Sequence, residues 1–269
     1  DRGDYDKKER GDGFEGNVAN MDAQKKLVEK DSDIKSEAFL KSEIERTRAE
    51  YLAAPDTPGK INGYIDALLG FEDDQHEDQA IAVLHEIHER TKTYRYKMRI
   101  GDIRIRQMTR KWRELKSAGD ESGAKQQVRQ QLAFEMAEFA ERVVNYPTDL
   151  AMKYELGRRQ FLAGQFDEAI GTMQAAQNDP RRRLRALAIL GQAFSKKGLK
   201  QEAVDTFRRA LNGDVREKDQ KDLRYFLGDA LEAVGDLDGA AAEFSLVAQM
   251  DYQYKDASAR LEKIRKGAE

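Results

Sequence analysis

Residues 150–183 read LAMKYELGRRQFLAGQFDEAIGTMQAAQNDPRRR, and residues 184–217 read LRALAILGQAFSKKGLKQEAVDTFRRALNGDVRE. Set one under the other, Leu156-Gly157, Gly164, Ala169 and Ala176 fall over Leu190-Gly191, Gly198, Ala203 and Ala210, a constant offset of 34 residues. A looser third copy over 221–252 carries Leu227-Gly228, Gly235, Ala240 and Val247, with three extra residues inserted within Asn212–Lys221. Self-similarity at such a period marks a stack of supersecondary units, and this length accommodates two helices with two short turns.

The recurring residues have physical reasons. Gly157 and Gly191 fall in the middle of the first helix of their pair, where a missing side chain lets the second helix approach. That gain must exceed the helix penalty of glycine, about 1 kcal/mol relative to alanine. Gly164, Gly198 and Gly235 follow the first helix, where a left-handed C-cap is wanted. Asp167, Glu168, Asp236 and Asp238 then supply negative charge near the start of the second helix, favoured by its dipole. Ala169, Ala203 and Ala240 are small because the helices cross there. Met173, Phe207 and Phe244 fill the space between repeats. Pro180 is expected at the first position of the next helix, which tolerates proline.

In these positions the chain resembles the tetratricopeptide repeat (TPR) family, whose pattern has Leu-Gly early, alanine twelve residues after the glycine, an aromatic four later, a small residue three after that, and proline near the end. The phrases Asn178–Arg183 and Asp251–Asp256 are similar to those of bacterial members. The resemblance implies an all-α fold, a right-handed superhelical α-solenoid of helix hairpins. In that family the first helices of the pairs line a concave groove. Carried over residue by residue, the groove comprises Tyr154, Arg158, Phe161 and Leu162, then Arg185, Ala188, Gln192 and Lys196, then Asp222, Tyr225, Asp229 and Glu232. It would be basic and aromatic at one end and acidic at the other, suiting an extended or helical peptide of opposed charge. Some members grip a peptide's terminal carboxylate with Lys and Asn. Tyr154 and Arg158 stand at those positions here, which speaks against a chaperone-tail ligand.

Outside the copies the sequence divides as follows. Residues 1–32 form a polar extension, flexible or docked, in which Arg2-Gly3-Asp4 and Arg10-Gly11-Asp12 read as charge-rich low complexity. Residues 33–57 give an N-terminal helix with Asp33 as cap and an imperfect stripe of Ile34, Ala38, Leu40, Ile44, Tyr51 and Leu52, closed by Pro55, Pro58 and Gly59. Residues 58–148 read as degenerate or elongated TPR-like pairs, with Gln79-Ala80-Ile81 paralleling Glu168-Ala169-Ile170. Within them, a stripe from Met98 to Leu115 and another of Val128, Leu132, Met136, Phe139 and Val143 belong to two long helices broken at Ser117–Gly123. Three repeats follow within 149–252 (150–183, 184–217 and 221–252), and 253–269 is a closing helix on which Ala257, Leu261 and Ile264 cover the last repeat.

The composition bounds the chemistry. Charged residues make up 36% of the 269 and hydrophobic ones 39%, which favours exposed helices with narrow apolar stripes. No cysteine is present, so thiol catalysis, disulfides and cysteine metal sites are excluded, and a cytoplasmic setting is expected. A net charge of −3 gives no global attraction to nucleic acid or anionic membrane. No apolar run approaches the ~18 residues a spanning helix needs. His85 and His88 lie three apart with His76 nearby, but no third ligand is evident and no metal or cofactor is expected. Carboxylates sit in turns and helix starts, and no Gly-x-Ser-x-Gly occurs, so the chain reads as no enzyme.

The sequence therefore points to a non-catalytic scaffold or adaptor that binds a protein or peptide segment. One alternative is a nucleic-acid binder using the basic, aromatic stretch 90–116, with Arg95, Arg99, Arg106, Arg110 and Arg113 as its patch. The other is a self-assembling structural subunit, a homo-oligomer. The basic run Arg181–Arg185 opposes the dipole of the helix it opens, by ~0.3–1 kcal/mol per charge. The register itself is testable. Ala203→Glu places an unpaired charge at a helix crossing and is expected to cost on the order of 3–5 kcal/mol. An unchanged melting temperature would refute the alignment of the copies.

Overall fold

The computed structural model describes residues 37–213 and 215–267; among them every regular element is helical. The extension 1–32 and residues 33–36, with the Asp33 cap and Ile34, lie outside the described residues. The twelve helices are α1 (Glu37–Ala53), α2 (Pro58–Leu69), α3 (Asp74–Thr91), α4 (Tyr94–Ser117), α5 (Glu121–Asn145), α6 (Leu150–Leu162), α7 (Phe166–Ala176), α8 (Arg183–Lys196), α9 (Lys200–Leu211), α10 (Glu217–Val234), α11 (Leu237–Met250) and α12 (Ala257–Gly267). The chain divides into two compact units, the division falling inside α4 between Ile100 and Gly101.

In the first unit, α2 packs against both α1 and α3. Where α2 and α3 pack, Ile61, Ile65 and Leu68 of α2 and Ala80, Leu84 and Ile87 of α3 are at near-zero exposure. Tyr51 of α1 stacks on Tyr64 at 5.7 Å between centroids. Leu52, placed on the α1 stripe by its spacing, instead points outward at 61% exposed. Pro58 does not close α1; it opens α2, where its missing N–H has no partner to lose. The Asp73 side chain caps α3 by accepting from the His76 N–H at 2.8 Å. His76 stacks on Phe71 at 3.9 Å.

The second unit begins with an antiparallel pairing of α4 and α5. Gln127 donates to the Met108 carbonyl at 3.1 Å and Gln131 to Thr109 at 3.0 Å. At the other end Arg142 pairs with Asp102 at 2.7 Å. Arg142, outside the apolar stripe of α5, is 3% exposed and lies over the Phe139 ring at 4.7 Å. Arg159 of α6 lies over the same ring at 3.9 Å and pairs with Glu135 and Glu155, each at 2.6 Å. The α5–α6 seam is thus one aromatic ring contacted by two paired guanidiniums. Val128 departs from the expected stripe and stands 49% exposed.

From α6 onward the pairs repeat. Helices α6 with α7, α8 with α9, and α10 with α11 form the pairs; each pair packs on the next, and α12 closes the series against α11. The first helices also touch one another, α6 with α8 and α8 with α10. A Cβ built on Gly191 would lie 2.7 Å from the Phe207 ring, and one on Gly228 would lie 2.8 Å from Phe244. In the first copy Met173 holds the equivalent place, 3.1 Å from a Cβ on Gly157. Ala169, Ala203 and Ala240 are fully buried at the crossings. Phe207 reaches the next repeat as well, stacking on Phe226 at 6.0 Å. The turn glycines Gly164, Gly198 and Gly235 have φ of 77°, 77° and 90°, the left-handed backbone their positions called for.

One boundary differs from expectation. Pro180 is not the first residue of the next helix: it lies in the turn, and α8 opens at Arg183. Asp179 binds the turn together by accepting from the Arg181 N–H at 3.0 Å and pairing with Arg182 at 2.8 Å. That carboxylate offsets part of the unfavourable positive charge at the start of α8. The glycine contacts generate a paired test. Gly191→Ala drives a Cβ into the Phe207 ring and is expected to destabilise by about 1–3 kcal/mol. Gly171→Ala, whose added Cβ meets nothing within 4 Å, is expected to stabilise by roughly 0.4–1 kcal/mol. Thermal denaturation followed by circular dichroism reads both; equal effects would remove the close approach as the cause.

Candidate partner-binding surface

The α8 sequence puts Leu184, Ala188 and Gln192 four residues apart, on one face beside Arg185. The α10 sequence puts Asp219, Asp222, Leu223 and Phe226 on the facing side. Between them lies a cleft of about 210 Å³, lined by these eight residues. Ala188 leaves the room that a larger side chain would fill, and Gln192 is steadied by donating to the Ala188 carbonyl at 3.1 Å. The floor is apolar, Arg185 stands on one wall, and Asp219 and Asp222 stand on the other. The structure therefore brings Arg185, Ala188, Gln192 and Asp222 together.

The other expected groove residues lie elsewhere. Tyr154 is 8% exposed and packs in the core. Arg158 reaches Glu155 at 3.6 Å with half its side chain exposed. Phe161 meets Phe166 edge to face at 5.7 Å, whereas Leu162 is 59% exposed. Lys196 is exposed near the C-terminal end of α8. Asp229 and Glu232 are engaged by Arg260 of α12 at 2.9 and 2.6 Å.

The C-terminal turn supplies groups that sequence reasoning did not place here. Tyr225 donates its hydroxyl to Asp256 at 2.7 Å, and Tyr254 donates to Asp222. Lys221 pairs with Asp251 at 2.7 Å. The Lys255 ammonium lies 4.3 Å from the centroids of Tyr225 and Phe226, 4.9 Å from that of Tyr254, and 3.5 Å from Asp222. Lys255 has φ of 49°, a left-handed backbone that costs a non-glycine residue about 1 kcal/mol or more. The tyrosine-rich phrase Asp251–Asp256 was the available signal. Its partners sit about thirty positions upstream on α10, so no local spacing pointed to them.

Residues of the basic stretch have near partners. Arg90 pairs with Asp56 at 3.1 Å and donates to the Pro55 carbonyl at 3.0 Å. Arg99 binds Asn62 at 2.8 Å and also Asp66. Arg95 donates to the Tyr96 hydroxyl at 2.8 Å, and the Tyr96 ring is 4% exposed. Arg106 and Arg113 are exposed, and Arg110 is half-buried. Among the described residues no group of three His, Asp or Glu side chains is arranged to hold a metal ion. No helix among them is long and apolar enough to cross a membrane.

No protein-family model and no curated protein matches the chain. Solved structures do. The crystal structure of MamA is similar over 54% of this chain and 83% of its own, at 19% identity and a TM-score of 0.48. A TPR protein of Thermus thermophilus is similar over 84% of this chain and 98% of its own, at 13% identity and a TM-score of 0.39. A tetratricopeptide repeat protein of Parabacteroides merdae is similar over 90% and 98%, at 11% identity and a TM-score of 0.42. The resemblance is to tetratricopeptide repeat proteins. The fold itself stands on this chain's own recurring helix pairs.

The tyrosines of the surface give a pH signature. Burial holds both the Tyr225 and Tyr254 hydroxyls above the ordinary tyrosine range, and the Asp256 and Asp222 carboxylates beside them add to the rise. A phenol kept neutral in the fold ionises more readily once the chain unfolds. Its stabilisation is complete below the unfolded pKa of about 10 and is lost as pH climbs through the folded value. The melting temperature is expected to fall above pH ~10, and Tyr254→Phe is expected to make that fall shallower. Parallel curves for the two proteins would show that Tyr254 is not coupled to folding.

Proposed function

We propose that the chain is a non-catalytic scaffold that holds a segment of another protein in the groove lined by α8 and α10. The observation carrying this reading is the α8–α10 cleft, whose apolar floor lies between Arg185 on one wall and Asp219 and Asp222 on the other. An extended or helical peptide offers both kinds of complement: side chains for the floor and charges of opposed sign for the walls. The charges fix the orientation of the segment more than they add affinity. Arg158 and Leu162 on α6 stand 34 residues before Gln192 and Lys196 of α8 in the repeat, and both are half-exposed or exposed, which supports extending the reading to α6. The basic stretch 90–116 is the weaker candidate, because Arg90 and Arg99 are already paired and Tyr96 is buried.

The reading is tested by affinity capture from the native cell extract, comparing the unsubstituted chain with Arg185→Glu. The substitution sits on an exposed wall and is expected to leave helicity and melting temperature within about 0.5 kcal/mol of the parent. Proteins retained by the parent and lost by Arg185→Glu support the groove. Identical retention by both would refute it.

A further inference from the structure

The acidic wall of the cleft continues into an aromatic enclosure that already holds a cation. We infer that this enclosure is a recognition site for a lysine side chain of the bound segment, and that the chain's own Lys255 fills it in cis. The inference rests on the groove reading and specifies its chemistry. Three ring faces surround the Lys255 ammonium, Tyr225 and Phe226 at 4.3 Å and Tyr254 at 4.9 Å, with the Asp222 carboxylate at 3.5 Å. A cation held over several aromatic faces beside one carboxylate is the arrangement by which proteins recognise ammonium groups.

Two features separate a site from a mere strut. The first is access: the Lys255 side chain is 38% exposed and that of Asp222 is 59% exposed, so the enclosure opens to solvent. Asp222 and Phe226 line the cleft and the enclosure alike, so a segment lying in the cleft reaches the same cage without a gap. The second is backbone. Lys255 occupies the left-handed region that glycine would adopt without strain, so the position carries a lysine despite a conformational cost. The tyrosines are themselves fixed by carboxylates, Tyr225 by Asp256 and Tyr254 by Asp222, which keeps the ring faces in place when the lysine leaves. Lysine from a partner would therefore replace lysine of the turn, one ammonium for another.

The test removes the internal lysine and offers an external one. Lys255→Gly suits the backbone at that position, and Lys255→Met retains the aliphatic stem as a second variant. The probe is a fluorescein-labelled heptapeptide alternating glycine and lysine, with a glycine–glutamate heptapeptide as comparison, followed by fluorescence anisotropy at low salt. The expected result is about ten-fold tighter binding of the lysine peptide by either variant than by the parent. Adding Asp222→Asn is expected to return the affinity to the parent level, and the glutamate peptide is expected to gain nothing. Equal affinity of parent and both variants overturns the cage, as does a gain that survives Asp222→Asn. A gain shared by the glutamate peptide overturns the cage while leaving the groove standing. If neither variant gains affinity, the Arg185→Glu capture decides separately whether the groove falls with the cage.

Discussion

The distance between the two helices of each pair is set by an absent methyl group. At Gly191 and Gly228 a Cβ would enter the Phe207 and Phe244 rings, so the rings lie directly on the glycine backbone. Both rings are fully buried. The burial of a phenylalanine, about 1.5–3 kcal/mol, exceeds the roughly 1 kcal/mol that a mid-helix glycine costs. Phe207 also stacks on Phe226 of the following pair, so the contact that closes one hairpin is the contact that attaches the next. Stability in such a chain is a sum over units and their neighbours, and α12 ends the sum by covering α11.

The fold was legible for the same reason. Glycine and alanine at fixed spacing are constraints on backbone approach, and such constraints leave a register in one dimension. The helices of the three copies followed from that register, while the break between α4 and α5 was marked by the Ser117–Gly123 stretch and the closing helix by the apolar stripe of Ala257, Leu261 and Ile264. What failed was governed by contacts the register does not encode. Arg142 is buried because Phe139, Asp102 and Glu138 receive it, and those residues come from two helices. Val128 is half-exposed at the mouth of a surface cavity that it lines with Trp112, Lys116 and Ala124. Pro180 falls in a turn because the Asp179 side chain organises the residues after it.

The candidate site was legible in part. Arg185, Ala188, Gln192 and Asp222 share one cleft, as their helical spacing allowed. Tyr154, by contrast, is absorbed by the core, and Asp229 and Glu232 are committed to Arg260. Groove positions taken from a repeat pattern assume that each first helix faces open solvent. Here the chain's own C-terminal turn bonds to Lys221, Asp222 and Tyr225 in the early turns of α10, and Arg260 of α12 reaches Asp229 and Glu232 nearer its end. The acidity read there is real, but much of it is answered from within the same molecule.

The third pair departs from the other two at its entrance. Three additional residues precede it, Val215 is buried in the connection, and α10 runs to 18 residues where α6 has 13 and α8 has 14. Asp219 and Asp222 belong to the early turns of that longer helix. Lengthening a connection is thermodynamically cheap, about 0.6 kcal/mol for each doubling of a flexible loop. An insertion between two modules thus adds a ledge of new chemistry without disturbing the seats of either neighbour, and a chain assembled this way can change its surface one joint at a time.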